Sequence, residues 1–190
     1  MGYVFDPEVL EEHTRAVLGM PREEMFDALT ASLAETYGER IHRGPRRWIL
    51  NNAGGAMGQM TFLYSSFDEY LILFGTPIGT EGHSGRYATE VWDFVLDGGM
   101  WGYAEGDTAR VEVGPGDVHH LGANVAKGYR IPDHCWMLEY ARGPILTMFP
   151  FGLADTLFST LDVSVLGRTV AHFAEGLGRN ARAALRASKG

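Results

Sequence analysis

The sequence predicts a mainly β fold flanked by helices, on three observations. Short runs rich in β-branched and aromatic residues fill the middle of the chain, about residues 47–150. Glycine-rich turn signals separate those runs, and the chain holds 25 glycines. The two ends instead carry apolar residues at spacings of three and four. Many short strands closed by glycine-rich turns point to a barrel or a jelly roll.

The elements follow in order. Asp6 is the expected N-cap with Pro7 at the first helical position, and Pro21 opens a second helix that Gly38 can stop. Met25, Phe26, Leu29 and Leu33 form its apolar stripe. Strands are then expected over Arg47–Asn51, Gln59–Tyr64, Glu69–Gly75, Arg86–Leu96, Trp101–Ala104, Ala109–Val113, Lys127–Arg130 and Cys135–Tyr140. Gly54-Gly55, Gly98-Gly99, Glu105-Gly106-Asp107 and Gly114-Pro115-Gly116 mark turns between them. From about residue 152 the pattern is helical again. Leu153, Leu157, Phe158, Leu161, Val165 and Leu166 make one segment, and Val170, Phe173, Leu177, Ala181, Ala184 and Leu185 a second.

Length and charge narrow the classes. The 190 residues suggest one domain over 1–190, with N-terminal helices in 1–45, a barrel in 46–151 and C-terminal helices in 152–190. A net charge of −8 argues against a nucleic-acid partner, which needs a basic footprint. A single cysteine, Cys135, excludes an internal disulfide. The N-terminus has neither a basic leader nor a long apolar run, so neither signal peptide nor transmembrane anchor is expected. The location expected is cytoplasmic or at a membrane surface. The tail is basic: Arg168, Arg179, Arg182, Arg186 and Lys189 stand against Glu175 alone.

Strand alternation places two acids on apolar faces. In Arg86–Leu96, Asp93 falls between Val91 and Val95. In the last strand, Glu139 shares a face with Cys135, Met137 and Ala141. A charged, unpaired carboxylate in such a place costs several kcal/mol. Two acids facing one dry cavity can share a proton, an apparatus for moving a proton on and off an apolar substrate. The structural alternative is that each acid pairs with an arginine, such as Arg86 or Arg142, or caps a turn.

The histidines raise a metal alternative. Pro115-Gly116-Asp117-Val118-His119-His120, followed by Asn124, resembles the second motif of cupin barrels. With His83 and Glu139 it would make a site of three histidines and a carboxylate, and hence a metal-dependent enzyme. The first cupin motif is incomplete: only Gly82-His83-Ser84-Gly85 is present. The simpler reading has His83 holding a turn, with no metal bound. Asn52–Gly58 is glycine-rich but lacks a phosphate-loop lysine, and reads as a bent strand junction.

Five segments carry a family resemblance. Asn51-Asn52-Ala53-Gly54-Gly55-Ala56-Met57-Gly58, Ser66–Thr76, Gly79–Tyr87, Trp136-Met137-Leu138-Glu139-Tyr140-Ala141-Arg142-Gly143 and Ala154–Thr160 resemble the signature segments of fungal sterol C-8 isomerase and the sigma-1 receptor. The match runs in order from about residue 45 to 170. Ala56 stands where the receptor has tryptophan, and the paired His119-His120 is closer to the isomerase.

The resemblance implies a cupin-like β-barrel with N-terminal helices and two C-terminal helices covering the barrel mouth against a membrane. It implies a homotrimer, and a hydrophobic small molecule as ligand, either a sterol-like lipid or a lipophilic amine. The implied reaction needs no cofactor. It moves a sterol double bond from the 8(9) to the 7(8) position through a carbocation. Asp93 and Glu139 are the implied acid–base pair, and His83 is a further catalytic candidate that takes part or orients a carboxylate. The implied apolar lining is Met60, Tyr70, Ile72, Phe74 and Val91, with Met148, Phe149 and Phe173 at the helical lid. The alternative within the family is a receptor that binds lipophilic amines or lipids without turnover.

Overall fold

The computed structural model describes residues 2–187, so Lys189 of the basic tail lies outside it. Helix α1 (Pro7–Arg15) begins at Asp6, whose side chain accepts the backbone N–H of Glu8 at 2.9 Å. Helix α2 (Arg22–Tyr37) follows Pro21 and stops at Gly38, whose φ of +66° suits glycine.

Ten strands follow among the described residues: β1 (Ile49–Ala53), β2 (Ala56–Ser65), β3 (Glu69–Thr76), β4 (Thr80–His83), β5 (Glu90–Gly98), β6 (Met100–Ala104), β7 (Val111–Val113), β8 (Val118–Leu121), β9 (Lys127–Ile131) and β10 (Cys135–Arg142). They form two antiparallel sheets and not the closed barrel expected. The larger sheet runs β1-β2-β3-β10-β5-β8 and the smaller β4-β9-β6-β7. Side chains from both sheets line one cavity, and the architecture is cupin-like in that sense.

Two short strands, β4 and β8, escaped the sequence pattern because neither alternates apolar with polar residues. The strand expected from Arg86 starts only at Glu90. Before it, the Tyr87 carbonyl accepts the Asn124 N–H at 2.8 Å and Arg86 donates to the Asn124 carbonyl at 2.8 Å. These bonds tie the segment to the loop after β8 and take it out of the ladder.

The two faces of the larger sheet have different partners, as a side-chain period of two requires. Leu71, Leu73, Trp92, Phe94, Leu138 and Tyr140 pack against Leu10, Met25, Phe26, Leu29 and Leu33 of the N-terminal helices. Met60, Ile72, Phe74, Val95 and Met137 point the other way, toward the smaller sheet. Buried Glu69 pins the N-terminal segment. It accepts the backbone N–H groups of Val4 and Phe5 and the hydroxyl of Tyr140.

The C-terminal helices are α3 (Phe149–Phe158) and α4 (Val163–Ala187). The break between them falls inside the apolar segment expected to be one helix. Leu161 has a φ of +53°, and the Asp162 side chain accepts the Val165 N–H at 2.9 Å to restart the helix. α4 lies against β2. The Ser65 hydroxyl donates to the Phe173 carbonyl at 3.0 Å, and the Asn180 amide donates to the Ser65 carbonyl at 2.5 Å. Gly176 allows this approach: a Cβ there would stand 1.9 Å from Ser65 Oγ. Among the described residues, no helix is long and apolar enough to cross a membrane.

Candidate active site

The inner face of the larger sheet is built in rows. Glu139 on β10 stands opposite Ile72 on β3 and opposite Asp93 on β5, and Asp93 stands opposite His119 on β8. Flanking rows are Phe74–Met137–Val95 and Tyr70–Ala141–Val91–Leu121. Directly opposed side chains of antiparallel strands have Cβ atoms about 4.5–5.5 Å apart. The two carboxylates are therefore neighbours on one apolar floor, and both line a cavity of about 180 Å³.

Glu139 reaches that cavity with one hydrogen bond at its head: the Tyr70 hydroxyl donates to Oε1 at 2.5 Å. Burial pushes the Glu139 carboxyl up to about 7, and the negative charge of Asp93 adds to this. The Tyr70 hydrogen bond and the Lys127 ammonium oppose the shift without cancelling it. Tyr70, Tyr87 and Tyr129 are themselves pushed well above the ordinary phenol range by burial and by the same carboxylate. They stay neutral, and the Tyr70 hydroxyl donates to Glu139 while the Tyr87 hydroxyl donates to the Ser84 carbonyl at 2.7 Å.

Asp93 is only 5% exposed and has a cation of its own. Lys127 crosses from β9 of the smaller sheet, and its Nζ lies 2.7 Å from Asp93 Oδ2. The same Nζ lies 3.0 Å from His119 Nδ1. An ammonium only donates, so Nδ1 must accept and His119 carries its proton on Nε2. Burial, followed by the Lys127 charge, lowers the His119 pKa, which agrees with a neutral ring.

The expected lining residues Met60, Tyr70, Ile72, Phe74, Val91, Met148, Phe149 and Phe173 all line this cavity. Phe62, Tyr87, Tyr129 and Phe151 line it as well and were not singled out in the sequence. Phe173 reaches the cavity from α4, its ring 4.9 Å from that of Phe149 and 6.3 Å from that of Phe62.

Lys127 is the residue that pattern reading missed. Its signal was present, since it alternates with Tyr129 and Ile131 on one face of a short strand. A lysine there needs a buried partner.

The histidines do not converge. His83 borders the cavity but is exposed, and its Nδ1 accepts the Gly85 N–H at 2.8 Å, which holds a turn. His120 stacks on Trp92 with ring centroids 4.3 Å apart, on the opposite face from His119, and its Nε2 lies 3.3 Å from Glu90. Among the described residues, no group of three or more His, Cys, Asp or Glu is placed to hold a metal ion. The arginines considered as partners for the two acids are engaged elsewhere. Arg86 pairs with Glu105 at 2.9 Å and Arg142 with Glu90 at 2.9 Å. Cys135 is buried, and burial pushes its thiol up to about 12, which suits packing and not nucleophilic attack.

The site thus offers one carboxyl that holds a proton near neutrality, a second carboxylate paired with an ammonium, and an apolar, aromatic surround. That set can deliver a proton to an apolar molecule and take one back. A family model described as "ERG2 and Sigma1 receptor like protein" matches residues 1–184. The C-8 sterol isomerase of Neurospora crassa is 41% identical over 172 residues, covering 88% of this chain and 67% of that protein. The erg2 homolog of Dictyostelium discoideum is 40% identical over 158 residues, covering 83% of this chain and 67% of that protein. Among solved structures, the polyketide cyclase RemF from Streptomyces resistomycificus aligns over 54% of this chain and 77% of its own, with 19% identity and a TM-score of 0.48.

Proposed function

This chain belongs to the family of ERG2 and Sigma1 receptor like proteins, and we propose that it is an isomerase that moves a double bond of a sterol, or a related polycyclic lipid, from the 8(9) to the 7(8) position. The observation that carries the proposal is the direct cross-strand opposition of Asp93 and Glu139 on the floor of an apolar cavity.

The chemistry follows from the pair. The protonated acid gives its proton to C9; the O–H bond breaks, a C–H bond forms, and a cation is left at C8. The ionised acid takes a proton from C7, and the electrons of that C–H bond become the new 7(8) double bond. No oxidant, reductant or cofactor enters this balance. A buried carboxylate beside the cation stabilises it more than water would. The faces of Tyr87, Tyr129 and Phe151 add cation–π attraction, with about 0.5–2 kcal/mol for each well-placed ring.

A receptor-like reading uses the same carboxylates to bind an ammonium, which resembles the cation. The relatives at about 40% identity carry isomerase names, which favours turnover. We further propose that the chain acts as one domain. The exposed apolar tip between α3 and α4 supports peripheral membrane contact. There Phe158 is 86%, Leu161 69% and Val163 75% exposed. The trimer implied by the resemblance is a proposal for light scattering to weigh.

The test is conversion of a supplied Δ8-sterol by the purified protein. The Δ7 product is expected, and Glu139→Gln and Asp93→Asn should each lower turnover at least about 100-fold with circular dichroism unchanged. No conversion in either direction over a panel of sterols would refute the proposal.

A further inference from the structure

Two carboxylates and one ammonium in a largely apolar cavity leave one negative charge that a single proton neutralises, and the geometry says where that proton sits. Among the described residues that line the cavity, Lys127 is the only lysine or arginine. It is 7% exposed, and its position is fixed at three points. Its backbone N–H donates to Ser84 Oγ at 2.9 Å, its Nζ lies 2.7 Å from Asp93 Oδ2, and the same Nζ lies 3.0 Å from His119 Nδ1. Glu139 has no such partner in its hydrogen bonding: the group on its Oε1 is the neutral Tyr70 hydroxyl.

We infer that Lys127 is a positioning residue whose ammonium fixes Asp93 as the ionised base, so that the single proton of the carboxylate pair resides on Glu139. The assignment rests on reading Asp93 and Glu139 as the acid–base pair. It adds to that reading the direction of proton flow, from Glu139 to the substrate and from the substrate to Asp93. It also supplies the return step. After each turnover Asp93 holds the proton and Glu139 is ionised. The proton then passes from Asp93 to its cross-strand neighbour Glu139, driven by the recovery of the Lys127–Asp93 ion pair. The groups that face this exchange are Tyr70 on β3, Tyr87 before β5, His119 on β8, and Lys127 and Tyr129 on β9. Lys127 is the only one of these that carries a charge, since His119 accepts from it.

The role of Lys127 has consequences that packing alone would not produce. Without the ammonium, Asp93 becomes a second buried acid without a cation, and takes up a proton of its own. The pair then holds two protons and lacks a base. Lys127→Met should lower kcat about 100-fold with little change in KM, and should move the acidic limb of the pH profile upward.

The deciding experiment is infrared spectroscopy of the protonated-carboxyl stretch at about pH 6, where exposed carboxylates are ionised. Wild-type protein carrying carbon-13 glutamate should shift this band, carbon-13 aspartate should not, and Glu139→Gln should abolish it. Lys127→Met should add a second band that the aspartate label shifts, and Lys127→Gln serves if the methionine variant does not fold. A wild-type band that follows the aspartate label overturns the inference, as does a Lys127→Met spectrum identical to wild type. The spectrum needs no substrate. The predicted bands without sterol turnover would therefore refute the isomerase reading alone, and turnover with an aspartate band would refute this assignment alone.

Discussion

Asp93 and Glu139 are direct cross-strand partners on β5 and β10, and their carboxylates share one cavity while having different neighbours. Asp93 has an ammonium at 2.7 Å; Glu139 has a phenol at 2.5 Å. In the proposed reaction this difference separates an acid from a base in a site where the sequence offers two similar side chains.

The Tyr70 hydrogen bond makes a prediction about pH. It stabilises the ionised form of Glu139, and so lowers its pKa. The proposed reaction needs Glu139 protonated, so kcat/KM for a supplied sterol should fall as pH rises through about 7 in wild type. Tyr70→Phe should move that basic limb upward by about one unit, the worth of one hydrogen bond to a charged group. The pH profile of both proteins measures it.

The same carboxyl makes a prediction about stability. Burial raises its folded pKa above the ordinary value of 4.5. Its contribution to stability is therefore full below that ordinary value and is lost as pH rises through about 7. Glu139→Gln removes the buried charge, so the variant should be more stable than wild type at alkaline pH by about 1–3 kcal/mol. The difference should vanish in acid. Urea denaturation across the pH range checks the sign.

Gly176 makes a prediction about the lid. An alanine Cβ there would meet Ser65 Oγ at 1.9 Å and Ser65 Cβ at 3.1 Å, so the Ser65 hydroxyl turns away from the Phe173 carbonyl or α4 shifts from β2. Either change loosens the hold on Phe173, one turn earlier, which lines the cavity. Gly176→Ala should cost about 1–3 kcal/mol of stability and raise the sterol KM more than it lowers kcat. Steady-state kinetics and thermal melts decide.

The tip between the C-terminal helices tests membrane contact. Phe158→Asp with Leu161→Asp should abolish flotation with anionic liposomes. Turnover of detergent-dispersed sterol should stay unchanged, because neither side chain lines the cavity.

What the sequence carried was local. Period-two alternation put Asp93 with Val91 and Val95, and Glu139 with Met137, on faces that the structure turns inward together. The Asp6–Pro7 start and the Gly38 stop were legible for the same reason: a cap is decided within a few residues. The inward face of Lys127 was legible from its strand, but its partner was not, because the pairing with Asp93 joins two sheets across 34 positions of sequence. The strands β4 and β8 were hidden by histidine and glycine where alternation should be. The histidine motif suggested a metal because spacing alone does not reveal that His119 and His120 point to opposite faces of one strand.

Incubation of the protein with a Δ8-sterol in deuterium oxide tests the central claim most directly. The Δ7 product should carry one deuterium at C9, because the proton that Asp93 returns to Glu139 exchanges with solvent once the product has left and before the next sterol is protonated. Glu139→Gln should form neither product nor label. Product without deuterium at C9, or full labelling by Glu139→Gln, would contradict the assignment of this carboxyl as the acid.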